Sequence, residues 1–219
     1  MTSVDALLAL NEPLWDEEAL VCRRYFASPE RTVESDLRWI ARQAAKELFD
    51  GVLARAAGLS TMSDLRDVVA LTEELHEEAV HLAAFVGAFE QLRPDDVPPL
   101  DRATLESWVA WPGNVELRAM RARHRRDHGR LGELAGYITE GGRAALFVEG
   151  AALAGNGGAD DVIAAACAAV HADEVDHMRA ALDAITDLAL DHDELTLLGD
   201  LTAAQSRQRI RMRVEQFGA

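Results

Sequence analysis

Two segments whose apolar residues recur at helical spacing each carry a glutamate where a leucine belongs. Between about Ser63 and Leu92 the stripe reads Val68, Leu71, Leu75, Glu78, Leu82, Phe85, Phe89. Between about Asp161 and Leu190 it reads Ile163, Cys167, Val170, Glu174, Met178 or His177, Ala181, Ile185. Residues at i, i+3 and i+4 share a helix face, so both carboxylates are carried inward with their stripes. A buried carboxylate without compensation is strongly destabilising, which restricts the folds open to such a chain. A histidine follows each glutamate by three residues, in Glu78-x-x-His81 and Glu174-x-x-His177. On a helix the pair points the same way, and carboxylate plus imidazole on one face can bind a metal ion. Two such helices can hold two ions.

The remaining segments supply the rest of a helical domain. A first long helix is expected over about Asp36 to Ala57, stopped by Gly58 and "LSTMSD". Ser63 or Asp64 is the expected N-cap of the second, which ends before Pro94. A proline-rich link, "RPDDVPPLD", precedes a short helix near Ala103 to Trp111. A third long helix reaches about Ala154, bent around Gly129, and "GNGGAD" turns the chain into the fourth. Shorter helices are expected at about Trp15 to Ala27 and Glu194 to Phe217. Aromatic residues make up only 5% of the chain and β-branched runs are few, which also favours helix. The expected fold class is all-α: one domain over residues 1–219, a four-helix bundle over about 36–190 with an N-terminal extension, 1–35, and a C-terminal helix over about 193–217.

A bundle site of this kind needs one further carboxylate from each remaining helix. Antiparallel neighbours are in register when their numbers are symmetric about the turn. Reflecting Glu174 through the turn near Asn156 to Gly158 lands near Glu140. Reflecting Glu78 through the turn near residue 61 lands in the mid-forties, where Glu47 stands. The expected ligand set is therefore Glu47, Glu78, His81, Glu140, Glu174 and His177. Glu149 in "LFVEGAAL" is the rival on the third helix, about 13 Å along the axis from Glu140. Glu77 and Asp173 precede the two motif glutamates and are candidates to accept the second N–H of a ligating imidazole. Gly141 and Gly142 are costly inside a helix and could open a cavity or mark a π-bulge, with Ala144 one turn on and Phe85 as a further pocket residue.

The combined pattern of Glu47, "EEAVH", Glu140 and "DEVDH" resembles the ferritin-like di-iron carboxylate superfamily. The resemblance covers about residues 36–190. The spacings of 31 residues from Glu47 to Glu78 and 34 from Glu140 to Glu174 look like those of the ribonucleotide reductase small subunit and the bacterial multicomponent monooxygenases. The reductase carries a radical tyrosine seven residues after the second-helix glutamate, and that position here is Phe85, which argues against a tyrosyl-radical role. Rubrerythrin-type peroxidases add a cysteine-rich domain that two cysteines, Cys22 and Cys167, cannot build. His171, three residues before Glu174, has a parallel in the extra ligand histidine of the arylamine N-oxygenases, at a different offset. It is a candidate seventh ligand or a neighbour of the ligands.

What the resemblance implies is a non-haem oxygenase or oxidase. It would use two iron ions (Fe2+/Fe3+), or manganese in place of one, with Glu78 and Glu174 as bridging carboxylates. O2 and a small organic metabolite would be its substrates, with hydroxylation, N-oxygenation, desaturation and C–C cleavage left open. No flavin, nicotinamide or iron–sulfur signature accompanies the pattern, so an external electron donor such as a ferredoxin or reductase is expected. Net charge is −16, which opposes nucleic-acid binding. The exception is "RAMRARHRRDHGR", six arginines in thirteen residues from Arg118 to Arg130, either a solvated face or a dock for an acidic partner. No disulfide framework, signal peptide or span of transmembrane length is evident, so a cytoplasmic protein is expected, and a homodimer is compatible with the pattern. Two other classes stay open: an iron-handling ferroxidase, peroxidase or storage subunit, and a metal-free helical interaction protein.

Overall fold

The computed structural model describes residues 3–218, without the side chains of residues 3 and 140–143. Among the described residues the structure is helical, with no strand. In chain order the helices are α1 (Ser3–Phe26), α2 (Val33–Lys46), a π-helical turn (Glu47–Val52), α3 (Leu53–Leu59), α4 (Leu65–Leu92), α5 (Arg102–Val109), α6 (Pro112–Ile138), α7 (Glu140–Ala151), α8 (Ala159–Leu188) and α9 (His192–Phe217). They gather into two compact units. One comprises Glu30–Ala110 and Ala151–Val170; the other comprises Met1–Pro29, Trp111–Gly150 and His171–Ala219.

The first unit is built on a helical hairpin. Thr32 caps α2: its hydroxyl accepts from the Ser35 N–H at 3.2 Å while the Ser35 hydroxyl accepts from the Thr32 N–H at 3.0 Å. This reciprocal box satisfies two otherwise orphaned donors and is worth about 1 kcal/mol. The helix then buries Leu37, Trp39, Ile40, Ala41, Ala44 and Ala45, packing on α4 and α5. Between α2 and α3 the backbone widens into the π-helical turn, where the Leu53 N–H bonds the carbonyl of Leu48, five residues back. Asp64 accepts from the Arg66 N–H and starts α4. The stripe expected on α4 is fully buried only from Glu78 onward, at Glu78, His81, Phe85, Ala88 and Phe89; Val68, Leu71 and Leu75 are half-buried.

In the second unit the N- and C-terminal helices pack together. Helix α9 packs on both α1 and α6 and buries side chains from Leu198 through Phe217. Leu7 of α1, Leu134, Ala135 and Ile138 of α6, Ala181 and Ile185 of α8, and Leu198 and Leu201 of α9 form one apolar core. Beside it lies a polar core: Glu18 accepts from Arg209 Nη2 at 3.0 Å and from Arg213 Nε at 2.9 Å, all three side chains buried. The bend expected at Gly129 is a full reversal, with φ 50° and ψ −122°. The two limbs of α6 lie so close that a Cβ on Gly132 would strike the His124 carbonyl, and Arg121 reaches across to donate to the Thr139 hydroxyl at 2.9 Å. Beyond Arg121, the arginines at 118, 123, 125, 126 and 130 are exposed around this reversal.

Candidate metal centre

Glu47 opens the π-helical turn, and Glu78 and His81 lie on α4 opposite it. All three side chains are buried, and one ligand atom from each falls within 4.8 Å of the other two. His81 Nδ1 is 4.0 Å from Glu47 Oε2 and 4.0 Å from Glu78 Oε2. That is too long for a hydrogen bond. Two donors sharing a divalent ion at ordinary bond lengths stand about 3.0–3.4 Å apart, so each His81–carboxylate pair would draw together by about 0.6–1.0 Å to seat one. Two carboxylate oxygens and an imidazole nitrogen are a donor set for a first-row divalent metal. The three described donors fit one ion.

The other carboxylate oxygens are held from behind. Gln43, one helical turn before Glu47, donates its amide to Glu47 Oε1 at 2.5 Å. Arg55 of α3 places Nη2 3.0 Å from Glu78 Oε1 and Nε 3.1 Å from Glu74 Oε2, and also reaches the Asp50 carbonyl at 3.4 Å. Gly51 makes the approach of the two helices feasible, because a Cβ there would strike the Glu78 carboxylate, whose Cδ would lie only 2.8 Å away. On the inner side Phe85 is fully buried and meets Trp39 edge-on, with ring centroids 6.0 Å apart. Trp39 in turn donates to Asp36 at 3.2 Å. All three donor side chains are buried, where an ion–ligand contact is worth more than it is in water.

Gly51→Ala is expected to push the Glu78 carboxylate off its position. Divalent-metal affinity should fall by about 10–100-fold, the cost typical of disturbing a ligand's support. Isothermal titration against the unaltered chain checks this, and an unchanged affinity would mean that Gly51 plays no part in shaping the site.

The remaining expected residues have other settings. Glu174 of α8 is buried as its stripe position requires, and His171, Asp173 and His177 are half-buried on the same helix, within the second unit. Glu77 is half-buried on α4, and Ala144 is buried on α7. Glu140 and the Gly141–Gly142 pair fall among the residues whose side chains are not described. Residues 140–151 form an α-helix, and the π-helical turn lies at Glu47–Val52. Glu149, the rival ligand, is paired with Arg23, whose Nε donates to it at 3.0 Å, which accounts for a carboxylate in its apolar stretch.

Sequence reasoning missed Gln43, Gly51 and Arg55. Two of them left a signal: Gln43 and Glu47 are an i, i+4 pair, and Gly51 stands inside an expected helix at a cost of about 1 kcal/mol. It also passed over His124, which is buried with Nδ1 3.1 Å from Gln205 Nε2. Burial, then the neighbouring charge of Arg123 and His128, holds the His124 pKa below the ordinary histidine value. Among the described residues no helix is long and apolar enough to cross a membrane. Compared with protein-family models, curated proteins and solved structures, the chain has no match.

Proposed function

We propose that this chain is a metal-dependent oxidoreductase of the di-iron carboxylate kind that activates O2 to oxidise a small organic metabolite. The observation that carries the reading is the convergence of Glu47, Glu78 and His81 from two helices onto one buried point. The sequence pattern adds Glu140, Glu174 and His177 as ligands of a second ion, His171 as a further candidate, and a ferritin-like bundle as the parent fold. When bound, iron would supply the one-electron steps that O2 needs to react with an organic molecule.

The chain's own residues have definable tasks. Glu47 and Glu78 would bring negative charge to a buried point and offset that of a divalent cation, and His81 would add an imidazole nitrogen. Gln43 and Arg55 orient the two carboxylates by holding Oε1 of each. Phe85 and Trp39, buried in the same helical hairpin, would help to keep water out of it. The exposed Arg123, Arg125 and Arg126 offer an acidic electron donor a basic surface.

One observation favours a second reading. Arg55 and Gln43 already compensate Glu78 and Glu47, as they would in a metal-free helical interaction protein. Anaerobic Fe2+ titration separates the two. The metalloenzyme reading expects saturable binding approaching about two ions per chain, an optical change on mixing with O2, and loss of the triad's ion in Glu78→Gln. Absence of stoichiometric binding would leave the interaction protein standing. Uptake far beyond two ions per chain would point instead to an iron-storage role.

A further inference from the structure

Arg55 is more than a counter-charge, because of where its contacts fall. Its guanidinium is tied at three points, to Glu78 Oε1 at 3.0 Å, to Glu74 Oε2 at 3.1 Å and to the Asp50 carbonyl at 3.4 Å. Its side chain is only 19% exposed. The Glu78 oxygen it holds is the one turned away from His81; the other, Oε2, is the one 4.0 Å from His81 Nδ1. Glu47 is divided in the same way, Oε1 taken by Gln43 and Oε2 facing His81. As placed, each carboxylate presents one oxygen toward His81, and Glu78 can chelate through both only by rotating its carboxylate, which loosens the contact of Oε1 with Arg55.

We infer that Arg55 is a specificity-determining residue of the metal centre: by holding Glu78 to one-oxygen ligation it excludes Ca2+ and reserves the site for smaller first-row divalent ions. The inference rests on the metal-binding reading of Glu47, Glu78 and His81. Ca2+ takes six to eight oxygens and commonly recruits both oxygens of a carboxylate, whereas first-row ions are satisfied by fewer ligands and accept imidazole. A site limited to two single oxygens and one nitrogen starts too poor in oxygen for Ca2+. The positive charge of Arg55 repels every divalent ion alike, so it alters absolute affinities without altering their ratio. The ratio of Mn2+ to Ca2+ affinity therefore isolates the number of oxygens Glu78 supplies.

The test is competitive titration of the full chain with Mn2+ and Ca2+, reading bound Mn2+ by electron paramagnetic resonance. The unaltered chain should bind Mn2+ with Ca2+ competing at least about 100-fold more weakly. Arg55→Gln removes the charge and the fork, and the ratio should fall by about 10-fold or more as Glu78 becomes free to chelate. Arg55→Lys keeps the charge but replaces the planar fork, which meets Glu74, Glu78 and Asp50 through three separate nitrogens, by a single ammonium nitrogen, so the hold on Glu78 loosens and the ratio should fall there too. Circular dichroism identifies which variants are folded. A wild-type ratio retained in either folded variant would overturn the inference and leave the metal site intact. Failure of the unaltered chain to bind Mn2+ at all would overturn the site itself, so the two failures are distinguishable.

Discussion

Glu18→Gln is expected to lower the unfolding free energy by about 3–5 kcal/mol. Glu18 is the carboxylate at which Arg209 and Arg213 converge, at 3.0 Å and 2.9 Å. Removing its charge leaves two guanidinium groups side by side in a buried core without the carboxylate that bonds both. The same contact sets a pH signature. Burial pushes the Glu18 carboxyl up, but Arg209 and Arg213 together outweigh it and hold the pKa below the ordinary value. A depressed folded-state pKa means the unfolded chain takes up the proton first as pH falls. The stabilisation is therefore complete above the ordinary glutamate range, near 4.3, and is lost as pH drops toward and through the folded value. Urea unfolding of wild type and Glu18→Gln between pH 3 and 7 checks both points. The gap between them should be constant at the neutral end and close toward the acid end; a gap that does not narrow would show that the ionised carboxylate is not what stabilises this core. Cys22, which burial pushes up to about 12, stays a neutral thiol across that range and adds nothing to the curve.

The contrast between the two polar cores shows what can be read from a sequence of this kind. Glu47, Glu78 and His81 were legible because local geometry does most of the work. A helix sets Glu78 and His81 on one face, and reflection through a single short turn brings Glu47 opposite them. Glu18, Arg209 and Arg213 were illegible because the pairing joins the two ends of the chain, 191 residues apart for Arg209 and 195 for Arg213. No spacing rule connects residues at that separation. The part α9 plays in the core was hard to read for a related reason: Thr202, Gln205, Ser206, Gln208, Arg209 and Arg213 are buried among its apolar side chains, so its inward face is no continuous apolar stripe. The π-helical turn lies between these cases. Its glycine was visible at position 51, but its purpose, to admit the Glu78 carboxylate, depends on a residue of the next long helix. Glu149 stood out for its apolar setting and was weighed as a ligand; the answer was an arginine 126 residues away.

Mn2+ at 100 times its dissociation constant raises the unfolding free energy of this chain by about 2.7 kcal/mol, and at 1,000 times by about 4.1 kcal/mol. The gain follows from mass action alone, provided the ion binds the folded chain and not the unfolded one. The separation of the donors along the chain favours that condition at this site. Glu47 and the Glu78–His81 pair are separated by thirty-one or more residues of chain, and only the packed hairpin brings their donor atoms within 4.8 Å. His81→Gln removes the imidazole while keeping a polar group of similar reach, so the metal-free protein retains its fold but the Mn2+-dependent gain disappears. Urea melts in chelator and at graded Mn2+ read the two quantities separately: the metal-free midpoint reports on packing, and its rise with Mn2+ reports on ligation. A full gain retained by His81→Gln would assign the ion to other residues and remove the triad from the reading. A gain lost in His81→Gln and preserved in Glu18→Gln would tie the metal to the hairpin, since the buried core around Glu18 supports the fold without taking part in the site. This comparison matters because any destabilised variant melts earlier, whereas only loss of a ligand makes the melt indifferent to the ion.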